Sequence, residues 1–144
     1  MAFLIETQCY EDYGYRVKAK GGRSIIVEQG YLSDAEAVAD LIADKFEHIL
    51  SISEVDADYE SDFVKSQKEY GAWDTIYLDC VVRRGRNGDY YLKRGYICGD
   101  MVKSNPEYAH LAGQFVGWVD NLNTGECVMK IEGDKRTLLN KEDA

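Results

Sequence analysis

The chain has no run of 18 apolar residues, and no basic segment leads into an apolar one at its N-terminus. Neither a transmembrane helix nor a signal peptide is therefore expected. The four cysteines (Cys9, Cys80, Cys98, Cys127) never fall as C-x-x-C, and each lies in an apolar or strand-like context. That usage suits free, packed thiols in a reducing compartment. The two histidines, His48 and His110, have no zinc-ligand spacing to a cysteine, so no metal site is expected. No G-x-S-x-G occurs, and neither histidine stands beside a serine or cysteine in a nucleophile signature. No catalytic residue and no cofactor are assigned. A single proline and the lack of any linker, repeat or low-complexity stretch point to one domain, residues 1–138, with a frayed tail at 139–144.

What is abundant is acid, and it is concentrated. Residues 34 to 74 hold twelve carboxylates against three lysines, which accounts for the whole net charge of −9. The remainder balances but contains two basic clusters. One is Arg16, Lys18, Lys20 and Arg23; the other is Arg83, Arg84, Arg86, Lys93 and Arg94. Eleven tyrosines are also present, with Tyr10, Tyr13 and Tyr15 crowded into one segment and Tyr90, Tyr91 and Tyr96 into another. Tyrosine is amphipathic and favoured at contact surfaces.

Periodicity predicts the elements. "AFLIETQ" alternates as a strand, and "SIIVE" reads as a second strand paired with it, with Gly21–Gly22 in the turn between. Ser33 and Glu36 form an S-x-x-E capping box. It opens a long helix, about 34–50, whose buried stripe is Val38, Leu41, Ile42, Phe46 and Ile49. "SISEVDADYE" then switches to period two, placing Val55, Ala57 and Tyr59 on one side and acids on the other. A short helix follows, with Ser61 as its cap and Gly71 as its stop. "DTIYLDCVVRR" and "DYYLKRGYIC" are strands joined at Asn87–Gly88, and Pro106 suits the start of a short helix. A last hairpin turns at Asn123–Gly125. The expected class is α+β: a single, mainly antiparallel sheet with one long helix packed on one face and short extra helices.

Two surfaces are candidates. The first is acidic: Glu36, Asp40, Asp44 and Glu47 along the helix, then Glu54, Asp56, Asp58, Glu60 and Asp62 along "SEVDADYESDF". Alternate strand positions lie roughly 6.6 Å apart, comparable to phosphate spacing, so two such rows could engage a surface built for a phosphate backbone. A solvated strand face is the plain alternative. A calcium loop is not supported: counting from Asp56, the sixth place is Ser61 and the twelfth Gln67. The second surface is basic and tyrosine-rich: Tyr13, Tyr15, Lys18, Lys20, Arg23, Arg83, Arg84 and Arg86. It could hold an anionic nucleotide, or simply keep hairpin tips soluble.

The segments "FLIETQCYEDYG", "VKAKGGRSIIVE" and "ESDFVKSQKEY" resemble a loose group of small tailed-bacteriophage accessory proteins. These open with a strand, a T-Q-x-x-E-[ND]-Y-G-like segment and a K-x-K-G-G turn. The matching positions are Thr7, Gln8, Glu11, Asp12, Tyr13, Gly14, Lys18, Lys20, Gly21 and Gly22, and the likeness covers the first half of the chain. It carries no catalytic motif. It implies a phage protein made in the bacterial host cytoplasm. The expected function is therefore binding: inhibition of a host protein, a defence or nucleic-acid-handling factor, through the acidic surface. The alternative is a sponge for an anionic nucleotide signal at the basic loops. Membrane and direct nucleic-acid binding are not expected, and a homo-oligomer is left open.

Overall fold

The computed structural model describes residues 2–13, 16–28, 30–43, 47–69, 75–99 and 103–139, with only the backbone pairing of 9–13 and 16–21. Ten strands form one sheet: β1 (Ala2–Tyr13), β2 (Arg16–Gly21), β3 (Ser24–Val27), β4 (Glu47–Val55), β5 (Ile76–Tyr77), β6 (Cys80–Arg84), β7 (Tyr90–Ile97), β8 (Phe115–Asn121), β9 (Glu126–Glu132) and β10 (Lys135–Leu138). Two helices accompany them, α1 (Leu32–Ile42) and α2 (Asp62–Glu69). The order across the sheet is β10-β9-β8-β7-β6-β3-β1-β2, with β4 also paired to β1 and β5 to β7.

The expected long helix on a mainly antiparallel sheet is overturned. Helix α1 has 11 residues and stops at Ile42; residues 47–50, expected to continue it, instead open strand β4, which runs on through 51–55, where period two predicts a strand. Its pairing runs antiparallel along β1 from Ala2↔Val55 to Cys9↔Glu47. The cause is non-local: β1 has a second edge to satisfy, and the carbonyls and amides of β4 satisfy it. Leu50 is the extra residue where the register slips between Glu6↔Ser51 and Thr7↔Ile49. This bulge lets Ile49 and Ile52 both pack on the core while Leu50 faces out, 59% exposed. The sheet is also mixed, because β3 and β6 pair in parallel, Ile25↔Cys80 to Val27↔Val82.

Other boundaries move for similar reasons. "RVKAKG", expected as a loop, is β2, paired to the outer part of β1. The predicted pairing of "SIIV" with the first strand is present, Phe3↔Val27 to Glu6↔Ser24. The strand expected from Asp74 breaks at Leu78–Asp79 into β5 and β6, with the Leu78 N–H still donating to Gly95 O at 3.1 Å. Beyond Pro106 only a 3-10 turn forms, Ala109–Leu111. Strand β10 was not expected at all, and the Leu139 N–H donates to Val128 O just after it. Phe46, Gly71 and the 140–144 tail lie outside the described residues.

Side chains alternate across the sheet. Ile5, Ile25, Val27, Val82, Tyr90 and Leu92 share one face, and α1 covers them with Ala35, Val38, Ala39 and Ile42. Small alanines let that helix sit close. Leu41, expected in the stripe, is instead 39% exposed. The other face holds Ala2, Leu4 and Ile26 under Val55 and Tyr59. Three successive buried residues in β3, Ile25, Ile26 and Val27, follow from cover on both faces.

The helix start also differs from the expected Ser33–Glu36 box. Tyr31 is the N-cap, and the Asp34 carboxylate accepts its N–H at 2.9 Å. Asp34 also accepts the Tyr90 hydroxyl at 2.7 Å and lies 3.8 Å from Arg84. The Tyr31 N–H, then the Tyr90 hydroxyl and Arg84, hold this carboxyl below the usual carboxylate range against a smaller burial effect. The anchor to the β6–β7 hairpin therefore sets where α1 begins. Among the described residues, no helix is long and apolar enough to cross a membrane. Cys80, Cys98 and Cys127 are free thiols, while the Cys9 side chain is not described.

Candidate ligand cleft

On the face opposite α1, strands β3, β6, β7 and β8 continue beyond the cover of Tyr59 and α2. The uncovered part is a cleft of about 460 Å³. Its floor follows from strand parity. Val81 pairs with Lys93, Lys93 with Val119, and Arg83 with Tyr91, so these five side chains share one face. At the next step Gly95 lies directly opposite Gly117. Without side chains there, the Phe115 ring lies over both: an added Cβ would sit 2.6 Å from its Cζ at Gly117 and 2.8 Å at Gly95. The Lys93 ammonium stands 4.6 Å from the centroid of that ring. A cation over an aromatic face is electrostatically favourable and leaves its donors free.

One wall is fixed by a turn. Asp79, at the break between β5 and β6, accepts the Ser61 N–H at 2.8 Å and its hydroxyl at 2.6 Å. The same hydroxyl accepts the Val64 N–H at 3.3 Å and so caps α2, as the sequence predicts. This knot holds Tyr59, Glu60 and Val64 over one end of the cleft, while Arg136 of β10 lines it as well. Burial, then the charges of Glu6, Asp79 and Asp62, push the Tyr59 phenol up, so it stays neutral.

The charges are unevenly committed. Glu28 pairs with Arg83, Glu60 with Lys68, and Asp79 is taken by Ser61. Among the described residues, Lys93 and Arg136 have no carboxylate partner. The cleft is thus an apolar, aromatic floor with two uncommitted cations.

The residues singled out from sequence are divided by this geometry. Arg83 lines the cleft, but Arg84 projects to the opposite face, beside Asp34 and 5.8 Å from the centroid of the Tyr90 ring. Arg86 is exposed in the hairpin turn. Arg23 is bound to Glu47 by two hydrogen bonds of 2.6 and 3.0 Å. Burial works against its charge, but the Glu47 hydrogen bonds and charge prevail and raise its pKa. The side chains of Tyr13, Lys18 and Lys20 are not described, and Tyr15 lies outside the described residues.

Of the acids, Glu47 is buried and takes part in a structural ion pair, and Glu60 belongs to the cleft wall. Glu36 and Asp40 are exposed on α1, and Asp62 opens α2; Asp44 lies outside the described residues. Glu54, Asp56 and Asp58 are exposed, but the strand ends at Val55. The chain then turns, with the Tyr59 N–H donating to Asp56 O at 3.1 Å. The even strand spacing expected of that row is therefore not present. Sequence reasoning passed over Tyr59, Tyr91, Phe115 and Arg136 as site residues. Tyr91 could have been found by aligning the Asn87–Gly88 hairpin and reading alternate positions; Tyr59 and Phe115 lie on other segments, and the strand that carries Arg136 was unseen.

Among the described residues, no group of three or more histidine, cysteine or carboxylate side chains is placed to hold a metal ion. Compared with family models, curated proteins and solved structures, the chain matches none.

Proposed function

We propose that this protein works by binding, and that the cleft holds a small organic anion with a flat apolar part, such as a nucleotide. One observation carries the reading: the cleft's carboxylates are all engaged, whereas Lys93 and Arg136 are not. An anion gains charge-assisted hydrogen bonds there, and its ring gains Phe115, Tyr91 and Tyr59. Calorimetric titration with AMP tests it. Binding should weaken with rising salt, and a Lys93→Gln/Arg136→Gln double variant should bind roughly a hundredfold more weakly, given about 1.5 kcal/mol for each of two charged hydrogen bonds. Arg84→Gln, on the opposite face, should leave it unchanged. Absence of AMP binding, or equal affinity in the double variant, would overturn the assignment.

A second reading keeps the acidic surface. Glu36, Asp40, Glu54, Asp56, Asp58 and Asp62 have no cationic partner among the described residues. They would suit a basic surface on a host protein that handles nucleic acid, a partner consistent with the resemblance to phage accessory proteins. A Glu54→Gln/Asp56→Asn/Asp58→Asn variant should melt at the wild-type temperature or slightly above. Pull-down of basic host proteins at low salt should be lost with it. Retained capture would remove this surface from consideration.

A further inference from the structure

On the α1 side of the sheet, beyond the reach of that helix, β7, β8 and β9 carry a second cleft of about 530 Å³. Its lining is aromatic: Tyr77 from β5, Tyr96 from β7, Trp118 from β8, and Tyr108 from the segment before the 3-10 turn. Tyr77 and Tyr96 rings are 5.9 Å apart at 58°, and Tyr96 and Trp118 rings 6.5 Å apart at 56°. Tyr77 is 55% exposed and Tyr108 46%. Both leave aromatic surface open beside the cleft, where a planar ligand can cover it.

The rings are held in place. Tyr77 sits on a two-residue strand whose outer edge is satisfied by Gln67. The Gln67 amide nitrogen donates to Tyr77 O at 2.7 Å, and its oxygen accepts the Tyr77 N–H at 2.8 Å. Trp118 lies under the Arg94 guanidinium at 5.2 Å, which Asp120 fixes through hydrogen bonds of 2.7 and 3.3 Å.

Charge narrows the occupant. Arg94 is committed to Asp120, and Lys130 lies 3.8 Å from Glu132 at the rim. A nucleic acid strand needs uncommitted cations along its path, and a quaternary ammonium would meet Arg94 and Lys130. An uncharged ring meets neither objection. Lys130 donates hydrogen bonds and the Glu132 carboxylate accepts them, so the pair matches a ring edge carrying an acceptor beside a donor.

We propose that this second cleft binds an uncharged heteroaromatic ring of nucleobase size, stacked among Tyr77, Tyr96, Tyr108 and Trp118 and read at its edge by Lys130 and Glu132. Adenosine is the probe, titrated calorimetrically against the whole chain. Binding should be nearly independent of salt and unaffected by Lys93→Gln/Arg136→Gln. Trp118→Ala and Tyr108→Ala should each weaken it about tenfold, since base–aromatic stacking contributes about 1–3 kcal/mol per base. Tyr108 is exposed, so its truncation reports on the site even where Trp118→Ala fails to fold. Glu132→Gln should weaken adenosine but not purine riboside, which lacks the exocyclic amine. No adenosine binding, or unchanged affinity in folded Tyr108→Ala, overturns the proposal. So does an adenine oligonucleotide that binds more tightly than adenosine with strong salt dependence, because that result places the base within a strand.

Discussion

Glu47→Ala is expected to destabilise the protein by about 2–3 kcal/mol, because it leaves a partly buried guanidinium without its partner. Glu47 is the acceptor at the centre of a knot that joins three strands. Its carboxylate takes the Thr7 hydroxyl of β1 at 2.9 Å and both Arg23 contacts from the residue preceding β3. Two bonds from main-chain amides close the loop: the Thr7 N–H donates to Arg23 O at 3.1 Å, and the Arg23 N–H donates to the Thr7 side-chain Oγ1 at 3.2 Å. The Glu47 side chain is 12% exposed and that of Arg23 36%. Water can therefore reach Arg23, which brings the cost to or below the lower edge of the roughly 3–5 kcal/mol of a broken fully buried pair. Glu47→Gln keeps the shape and one acceptor, and should cost about half as much. Urea unfolding measures this directly. Removing both charges in Arg23→Met/Glu47→Leu should recover much of the loss, since a buried pair often gives way to apolar residues at little cost. A double variant no better than Glu47→Ala would show that the carboxylate acts through something other than Arg23. A binding defect in a Glu47 variant would accordingly report lost structure rather than a lost partner contact.

Glu47 also shows where sequence and structure part company. The apolar spacing Val38, Ile42, Phe46, Ile49 continues at helical period past the point where α1 ends at Ile42. Nothing local marks that end: Ala43 is extended but is neither glycine nor followed by proline. What turns the chain is the unpaired edge of β1, some 40 residues earlier in sequence. The Leu50 bulge hides the switch further, because it breaks the period-two signal in the new strand. Local chemistry was more legible. Asn87–Gly88 predicted the β6–β7 hairpin, and Gly88 indeed has φ +89°. Ser61 predicted the start of α2 and supplies its cap. The basic cluster "RRGRNGDYYLKR" was visible as composition, but strand alternation sends Arg83 and Arg84 to opposite faces. The Arg136 side of the cleft depended on β10, a four-residue strand too short and too polar to be distinguished from a tail.

Gly117→Ala should cost about 2–3 kcal/mol and disturb the cleft at once, although it adds only a methyl group. A Cβ at this buried position would lie 2.1 Å from the Arg94 carbonyl oxygen and 2.6 Å from Phe115 Cζ. The first neighbour is backbone within the β7–β8 ladder, where Arg94↔Trp118 and Gly95↔Gly117 fix the register. It can give way only if the two strands separate. The second neighbour is the ring that floors the cleft and carries Lys93 above it. Relief by rotating Phe115 would therefore remove both the stacking surface and the position of the ammonium. Two measurements separate these effects. Urea unfolding should show the stability loss, and Phe115→Ala combined with Gly117→Ala should lose less than the sum of the single changes, because one of the two collisions is gone. The shortfall should be partial, since the Arg94 carbonyl remains. AMP affinity in Gly117→Ala should fall even at temperatures where the variant is fully folded. Wild-type stability together with wild-type affinity in that variant would mean that Phe115 does not lie on the Gly95–Gly117 pair, and the floor of the cleft would have to be drawn elsewhere.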